Sequence, residues 1–580
     1  MKTRWVMRET DADLSLMSKT LNIHEATARI MANRGIRSKN TALSFLFPLT
    51  EKMHDAMLMK DMEKALSRIA AAIPAEKITV YGDYDVDGIM STAIITKLLR
   101  RLGANCDYYI PHRIDEGYGL NRGAAEKLAE EGTKLLITVD NGISAISEAE
   151  LAGTLGMDVV IIDHHEPLFF YDNEKKVDIL PPVTAIVDCK QTDCEYPFKD
   201  LCAAGLSFKL AEALCKYLDN PFTERDEFMV LAAVATLCDI VSLTDENRII
   251  VTAGLTKLNA DKNINPGLGS LITVRSFADK PIDTFAVGYI IGPCLNATGR
   301  LESAELAVEL MLTNSGDRRL RLAHELVGLN EERKKLTVEC VERVLSGVCD
   351  DLPKVLVLTD TLSHESVAGI VAGRIRDNTG RPTILLTAGD GAMKGSGRSV
   401  EAYNLFEALY AQKHLFTRFG GHAMAAGLTL PVENIDALRE NLNLACALTA
   451  EDFIPSLYID SELDPRDVTL ALSDELSRLA PFGKGNEEPL FVSYGLHTEN
   501  IRIVEAKNTI IFTFANAGKR LKGISFGLND AYGRAVENAG VNKLGGFMMD
   551  AVYNVEKNIW NGVAEVQIRI RDFLIKPLNC

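Results

Sequence analysis

The apolar positions of this chain keep two different rhythms. Between residues 75 and 250, short continuous apolar runs alternate with stretches whose apolar residues return every three or four positions. The continuous runs are Ile78-Thr-Val80, Lys134-Leu-Leu-Ile-Thr-Val139 and Asp158-Val-Val-Ile-Ile162. Unbroken apolarity of that length predicts strands buried on both faces, and the helical stretches between them predict a parallel sheet. Residues 91–100 have helical spacing, and residues 229–237 read as a buried helix. Residues 1–70 are helical in pattern. Residues 301–345 are charged, with Leu322, Leu326, Leu329, Leu336 and Cys340 in a stripe near the 3.6 period. Asn314-Ser-Gly316 reads as a turn dividing a shorter helix from a longer one. That solvated connector would set the separation of two domains and so frame a cleft. Strands at 355–358 and 381–386 flank a helix at 370–377 that carries Arg374 and Arg376. After residue 456 the apolar pieces shorten and alternate, which predicts a small β-barrel.

The fold class is therefore α/β. The expected order is an N-terminal helical segment (1–70), a parallel-sheet domain (71–300), a long connecting helix (301–350), a second α/β domain (351–450) and a C-terminal β-barrel (455–580). The 580 residues are 47% apolar and 25% charged, an ordinary globular balance. The net charge of −17 leaves no global basic footprint, so any nucleic acid must be held in a locally basic groove. The N-terminus lacks the apolar core of a signal peptide. The most apolar uncharged run, 228–238, is far shorter than the about 20 residues a bilayer needs. Eleven cysteines, an odd number in mostly apolar surroundings, fit reduced thiols in a cytoplasmic protein. Cys189, Cys194 and Cys202 match no familiar zinc spacing.

Candidate chemistry gathers at the strand ends. Asp83, Asp85 and Asp87 stand at alternate positions on a loop from strand to helix. Carboxylates packed so closely raise one another's pKa, and hard divalent cations remove that repulsion; a solvated acidic turn is the alternative. The next strands end in Asp140-Asn-Gly142 and Asp163-His-His-Glu166, and the helix at 229–237 leads into Asp239. Asp85, Asp87, Asp140, His164 and Asp239 thus follow apolar segments of one region. Two cations about 3.5–4 Å apart want such a mixture of carboxylates and imidazole. In the second α/β domain, Gly395-Ser-Gly-Arg-Ser399 reads as a glycine-rich turn whose amides approach an anion, with Arg398 able to grip a phosphate bidentately. In the barrel, Lys507, Lys519, Arg520, Lys522 and Phe526 combine charge with an aromatic ring, as single-strand binders do.

Gly82-Asp-Tyr-Asp-Val-Asp-Gly88, Val139-Asp-Asn-Gly142, Asp163-His-His165 and Ala235-Thr-Leu-Cys-Asp239 resemble motifs one to four of the DHH phosphoesterases, the first in its RecJ-type form. Gly292-Pro-Cys-Leu-Asn-Ala-Thr-Gly-Arg300 resembles the RecJ-type segment between the core domains. Phe419-Gly-Gly-His-Ala-Met-Ala-Ala-Gly427 resembles the DHH-associated domain, and Pro481-Phe-Gly-Lys-Gly-Asn486 the entry to an OB-fold. The resemblance implies a single-strand-specific 5′ to 3′ DNA exonuclease that releases mononucleotides with two Mn2+ or Mg2+ ions.

It implies Asp85, Asp87, Asp140, His164 and Asp239 as metal ligands, with Asp140 the bridge and Asp83 a further ligand or a partner behind the ligands. His165 would hydrogen-bond a phosphate oxygen or assist the leaving group, and Asp163 would orient a histidine. The 5′ end would lie against Arg113, Arg300, Ser396 and Arg398. Asn296 would touch the backbone of the strand, and His422 would either join this wall or buttress the turn. By analogy a RecQ-type helicase and a single-strand-binding protein are expected partners, and the chain is expected to be a monomer with no membrane association. Cys294 stands where the family usually has arginine, Thr298 where it usually has alanine, and Cys238 replaces a small residue. Two other classes fit parts of the pattern: a phosphodiesterase for short oligonucleotides or cyclic dinucleotides, and a non-catalytic single-strand-binding scaffold. The barrel argues against the first and the complete carboxylate set against the second.

Overall fold

Lys77–Tyr81, rich in β-branched residues, forms the second strand of a five-stranded sheet in the computed structural model. The strand order is Asn105–Tyr109, Lys77–Tyr81, Leu135–Val139, Asp158–Ile162, Ala185–Val187, and every pairing is parallel. The structure describes residues 3–578 except 174, 348–350, 390 and 517. These fall into two units, Met1–Pro48 with Ala450–Cys580, and Leu49–Thr449.

In the unit Leu49–Thr449, helix Val86–Arg101 is buried along nearly its whole length and packs on helices Ala203–Tyr217 and Arg225–Cys238. Burial on all sides explains the near-continuous apolar character of both the strands and Arg225–Cys238. Helix Glu305–Leu312 and the 31-residue helix Gly316–Ser346 follow. The buried line of the longer helix includes Leu322, Leu326 and Cys340, but also Asn330 and Thr337. A second sheet runs Arg418–His422, Ala425–Leu430, Met393–Arg398, Thr383–Ala388, Leu356–Thr359; its last pair is parallel and the rest antiparallel. Helix Glu365–Thr379 packs on it.

One local expectation changes here, and one element is added. Gly395 to Arg398 is not a turn but the body of strand Met393–Arg398. Its glycines serve packing across the sheet: a Cβ on Gly395 would stand 2.7 Å from Leu386 and 2.8 Å from Leu428. Leu168–Asp172 and Lys175–Ile179 form an isolated antiparallel hairpin directly after the paired histidines, with Leu168, Phe169, Phe170 and Tyr171 exposed.

In the other unit, five strands close into a barrel: Phe491–Val504, Thr509–Asn516, Lys519–Phe526, Val563–Lys576 and Phe547–Trp560, the last returning to pair with the first. Phe512, Phe514 and Phe547 fill its core. The N-terminal residues are not one helical segment. Arg4–Met7 is a strand paired in parallel with Ser456–Ile459, and Ile23, Ile30 and Met31 join the barrel's core cluster. Helix Met62–Ala72 belongs to the other unit. No described helix is long and apolar enough to cross a membrane. The nine cysteines among the described residues are free thiols, all but Cys238 buried.

Candidate active site

Every predicted metal residue hangs from the carboxyl edge of the parallel sheet or from a helix end beside it, where open α/β sheets bind ligands. After Lys77–Tyr81 the chain turns so tightly that a Cβ on Gly88 would lie 2.5 Å from the Asp83 carbonyl oxygen. Asp83 is buried by this turn. Asp85 caps helix Val86–Arg101; its Oδ1 accepts the backbone N–H groups of Asp87 (2.9 Å) and Gly88 (3.1 Å). Asp87 faces the N-terminus of a second helix and accepts from Ala203 N (2.7 Å) and Ala204 N (2.8 Å). Asp140 follows Leu135–Val139 with φ +64°, a left-handed conformation that aspartate tolerates better than most residues. Asp239 caps the C-terminal end of Arg225–Cys238, where the helix dipole opposes a negative charge.

His164 ties these together. Its Nε2 lies 3.2 Å from Asp140 Oδ1, 3.6 Å from Asp87 Oδ2 and 3.8 Å from Asp239 Oδ2. Three clusters arise whose potential ligand atoms lie within 4.8 Å of one another: Asp83, Asp85 and Asp140; Asp87, His164 and Asp239; Asp140, His164 and His165. The carboxylates suffer for this closeness. Burial first, and then the charge of Asp85, pushes Asp83 well above its ordinary range and Asp87 up to about 6. Burial, then Asp87, raises Asp140 well above that range and Asp239 to about 7. Burial and the neighbouring His165 charge push His164 down, so it keeps a lone pair.

These groups fit divalent cations. Asp83 Oδ1 and Asp140 Oδ1 are buried without a hydrogen-bond partner, an expensive state for a carboxylate oxygen unless a cation meets it. Asp140 Oδ1 comes within ion-pair distance of His164 Nε2 yet makes no hydrogen bond to it. Both atoms are thus aimed beside each other rather than at each other.

Asp163 has a different task. Its oxygens accept from the backbone of His164 (2.8 Å), His165 (3.2 Å) and Ile143 (2.9 Å), and Oδ1 lies 2.7 Å from His165 Nδ1. Burial opposes its ionisation, but the hydrogen bond and charge of His165 outweigh that and hold it low. The same pair raises His165 to about 9 against the effect of burial.

The basic residues meet across the two sheets of this unit. Arg113 lies 4.7 Å over the Tyr84 ring, and a Cβ on Gly299 would touch the Tyr84 carbonyl at 2.5 Å. Arg300 donates to Ser366 O (2.6 Å), at the start of helix Glu365–Thr379. Arg398 donates to Ser396 Oγ (3.2 Å) and Gly397 O (2.7 Å). Burial first, then the charges of Arg113, Arg333 and Arg398, lowers Arg300 to about 9. Asn296 Oδ1 accepts from Val86 N (3.2 Å), so this side chain braces the aspartate loop. His422 is exposed on strand Arg418–His422, opposite Ala425, which in turn pairs with Arg398. Cys294 and Thr298 are buried in helix packing and offer a ligand nothing.

Several residues at this edge escaped the sequence reading. Tyr118 OH donates to Asp140 O (3.2 Å) and lies 3.3 Å from the His165 ring nitrogens. Asp188 follows the strand Ala185–Val187 as the other acids follow theirs, and burial, then Asp163, raises it to about 8. The same rule, applied to the run Ala185-Ile-Val187, would have found it. Arg333, on the connecting helix, carried no motif. On the barrel, Arg520 is bound by Glu499 (2.7 Å), Lys522 by Glu565, and Lys519 by Val468 O (2.8 Å). Lys507 and Phe526 are exposed.

Comparison with known proteins covers most of the chain. A family profile described as the DHH family, N-terminal domain, matches residues 77–236. A DHHA1 domain matches 352–447, and a RecJ OB domain matches 459–572. The single-stranded-DNA-specific exonuclease RecJ of Bacillus subtilis is 36% identical over 582 residues, 98% of this chain and 71% of that protein. The crystal structure of RecJ in complex with Mn2+ from Thermus thermophilus superposes with a TM-score of 0.83 at 26% identity, covering 99% of this chain and 79% of that one. Its Mg2+ complex gives 0.77 at 25% identity, covering 99% and 78%.

Proposed function

The chain belongs to the RecJ family of single-stranded-DNA-specific exonucleases, and from that premise we propose how its own residues hydrolyse a strand. It is a metal-dependent phosphodiester hydrolase of DNA repair and recombination. Asp83, Asp85 and Asp140 would hold one Mn2+ or Mg2+ ion. Asp87, His164 and Asp239 would hold a second, with Asp140 shared. The observation that carries this is the position of Asp140: it belongs to the all-aspartate cluster and to a histidine cluster, with a buried oxygen left unbonded. When bound, such ions acidify a water molecule and offset the charge that develops on the scissile phosphate.

The remaining steps fall to side chains. Asp163 keeps His165 oriented and protonated at neutral pH, so the ring can donate to a phosphate oxygen or to the departing 3′ oxygen. Tyr118 OH, between the Asp140 carbonyl and both ring nitrogens of His165, steadies the ring. Arg113, Arg300, Ser396 and Arg398 hold the 5′-terminal phosphate one nucleotide away, so mononucleotides leave from that end in the 5′ to 3′ direction. His422 extends this wall at its exposed margin. Asn296 serves by bracing the loop that carries Asp85 and Asp87. The enzyme would work in the cytoplasm as a monomer, with a RecQ-type helicase and a single-strand-binding protein supplying substrate.

Digestion of end-labelled oligonucleotides in Mn2+ tests the reading. Mononucleotides should appear from the 5′ end of single strands and not from blunt duplex. Asp140→Ala should reduce kcat by at least about a thousandfold, roughly 4 kcal/mol of barrier, while strand binding persists. Turnover within about tenfold of the parent would sink the assignment of Asp140 to the metals.

A further inference from the structure

We propose that Arg333 and Arg374 form a second phosphate subsite, one step further from the metal carboxylates than Arg300 and Arg398. The proposal rests on the reading of Arg300 and Arg398 as phosphate ligands. Three helices meet at this place: Gly292–Leu301 carries Arg300, Gly316–Ser346 carries Arg333, and Glu365–Thr379 carries Arg374.

Arg333 is positioned, not merely solvated. Its Nε and Nη2 donate to Asn330 Oδ1 at 3.2 and 2.9 Å. Asn330 is fully buried, and its Nδ2 reaches Cys294 Sγ at 3.4 Å, in the helix that bears Arg300. A buried amide linking the two helices therefore fixes the plane of a half-buried guanidinium. Glu331, the nearest carboxylate in sequence, turns instead to Arg275 (3.2 Å) and Lys334 (3.0 Å). Arg374 is exposed and has no hydrogen-bond or ion-pair partner among the described residues.

The charges form a succession. Arg113 acts on Asp83 and Arg300, Arg300 feels Arg113, Arg398 and Arg333, and Arg333 feels Arg374. None of these five arginines makes an ion pair among the described residues, in a chain with 80 acidic residues against 63 basic ones. Elsewhere guanidiniums find carboxylates, as Arg343 finds Asp360 at 2.6 Å. A line of guanidiniums with no carboxylate in ion-pair contact is suited to an external anion. A phosphate group fits the fork geometry. Its source is a further phosphoryl on a polyphosphorylated 5′ end, because the strand itself ends at the Arg300 and Arg398 pocket.

The test compares Arg333→Ala, Arg374→Ala and Arg398→Ala on oligonucleotides of one sequence with 5′-hydroxyl, 5′-monophosphate or 5′-triphosphate ends. KM, kcat and the salt dependence of KM are measured. On the triphosphate end Arg333→Ala and Arg374→Ala should each raise KM about five- to tenfold, leave kcat unchanged, and flatten the salt slope by about 0.7. A rise confined to the triphosphate supports the subsite; an equal rise on all three ends overturns it. Unchanged KM and salt slope in Arg374→Ala, whose exposed side chain is dispensable for folding, overturns the proposal. So does a fall in kcat with lost thermal stability in Arg333→Ala alone. If Arg398→Ala also leaves KM unmoved, the first phosphate pocket fails too; if it raises KM while the others do not, only the second subsite is lost.

Discussion

Three cations of the barrel and four at the junction of the two α/β domains are treated in opposite ways. On the barrel each of Arg520, Lys522 and Lys519 is satisfied by a carboxylate or a backbone carbonyl, at the surface. At the junction of the two α/β domains Arg113, Arg300, Arg333 and Arg398 are half-buried, hydrogen-bond or stack only on neutral groups, and make no ion pair among the described residues. Exposed ion pairs contribute about 0–1 kcal/mol and advertise no ligand. Cations partly withdrawn from water without a counter-charge store unfavourable energy that an arriving phosphate releases. The metal edge shows the same pattern with the sign reversed, since Asp83 and Asp140 keep buried oxygens without partners. Partly buried charge without an ion pair, not charge density, marks the region proposed for phosphate binding.

The sharpest break of this comparison is Arg300→Ala. It should raise KM for 5′-phosphorylated single strands by about a hundredfold, near 3 kcal/mol. The ligand-free protein should stay within about 1 kcal/mol of the parent's stability, because the lost bond to Ser366 is offset by relief from Arg113, Arg333 and Arg398. Titration of a labelled oligonucleotide and thermal unfolding of the same samples decide it. A large loss of stability would make Arg300 a strut between the domains instead.

A second, smaller effect follows from the carboxylates. Asp239 is ordinarily ionised above about 4 but is raised to about 7 here, by burial first and then by Asp87. In the metal-free protein the folded state therefore binds protons more tightly than the unfolded state. The contribution of this group to stability is present below about pH 4 and is lost as pH rises through about 7. Asp239→Asn removes the titration. In chelator the variant's advantage over the parent should grow by about 2 kcal/mol between pH 5 and pH 8. Saturating Mn2+ should reverse the order at pH 8, because the cation favours the ionised parent. A pH-independent difference in chelator would show that Asp239 is not strained in this way.

The sequence was most legible where chemistry follows local pattern. An apolar run that stops at an acid marks both a strand and the side chain at its end, and Asp87, Asp140, His164 and Asp239 do gather around one point. The rule failed at Asp188 only because the strand Ala185–Val187 has three residues and gives little signal. Long-range pairing was not legible. Strand Arg4–Met7 borrows its partner from residues 456–459, and nothing in its own sequence says so. Gly395-Ser-Gly-Arg398 suggested a turn because glycine permits one, whereas here it permits leucines of adjacent strands to close over the backbone. Arg333 was invisible because a charge's partner, or its lack of one, is set by neighbours far away in sequence. Glu499 reaches Arg520 across 21 residues and Glu565 reaches Lys522 across 43.

The smallest predicted effect is also the most direct probe of that last point. If the barrel cations are silenced by their carboxylates, Arg520→Ala should change KM for single strands by less than about twofold. Glu499→Gln leaves Arg520 in place but removes its counter-charge, since both Arg520 nitrogens near Glu499, at 2.7 and 2.8 Å, lose an anion. The freed guanidinium should then tighten binding about twofold at low salt and steepen the salt dependence, with the gain gone near 0.5 M, where the Debye length falls to about 4 Å. The double variant should return to the parent value. A loss of affinity in Arg520→Ala larger than about fivefold would mean that the strand displaces Glu499 to reach the arginine, and the contrast between paired and unpaired cations would no longer tell the two regions apart.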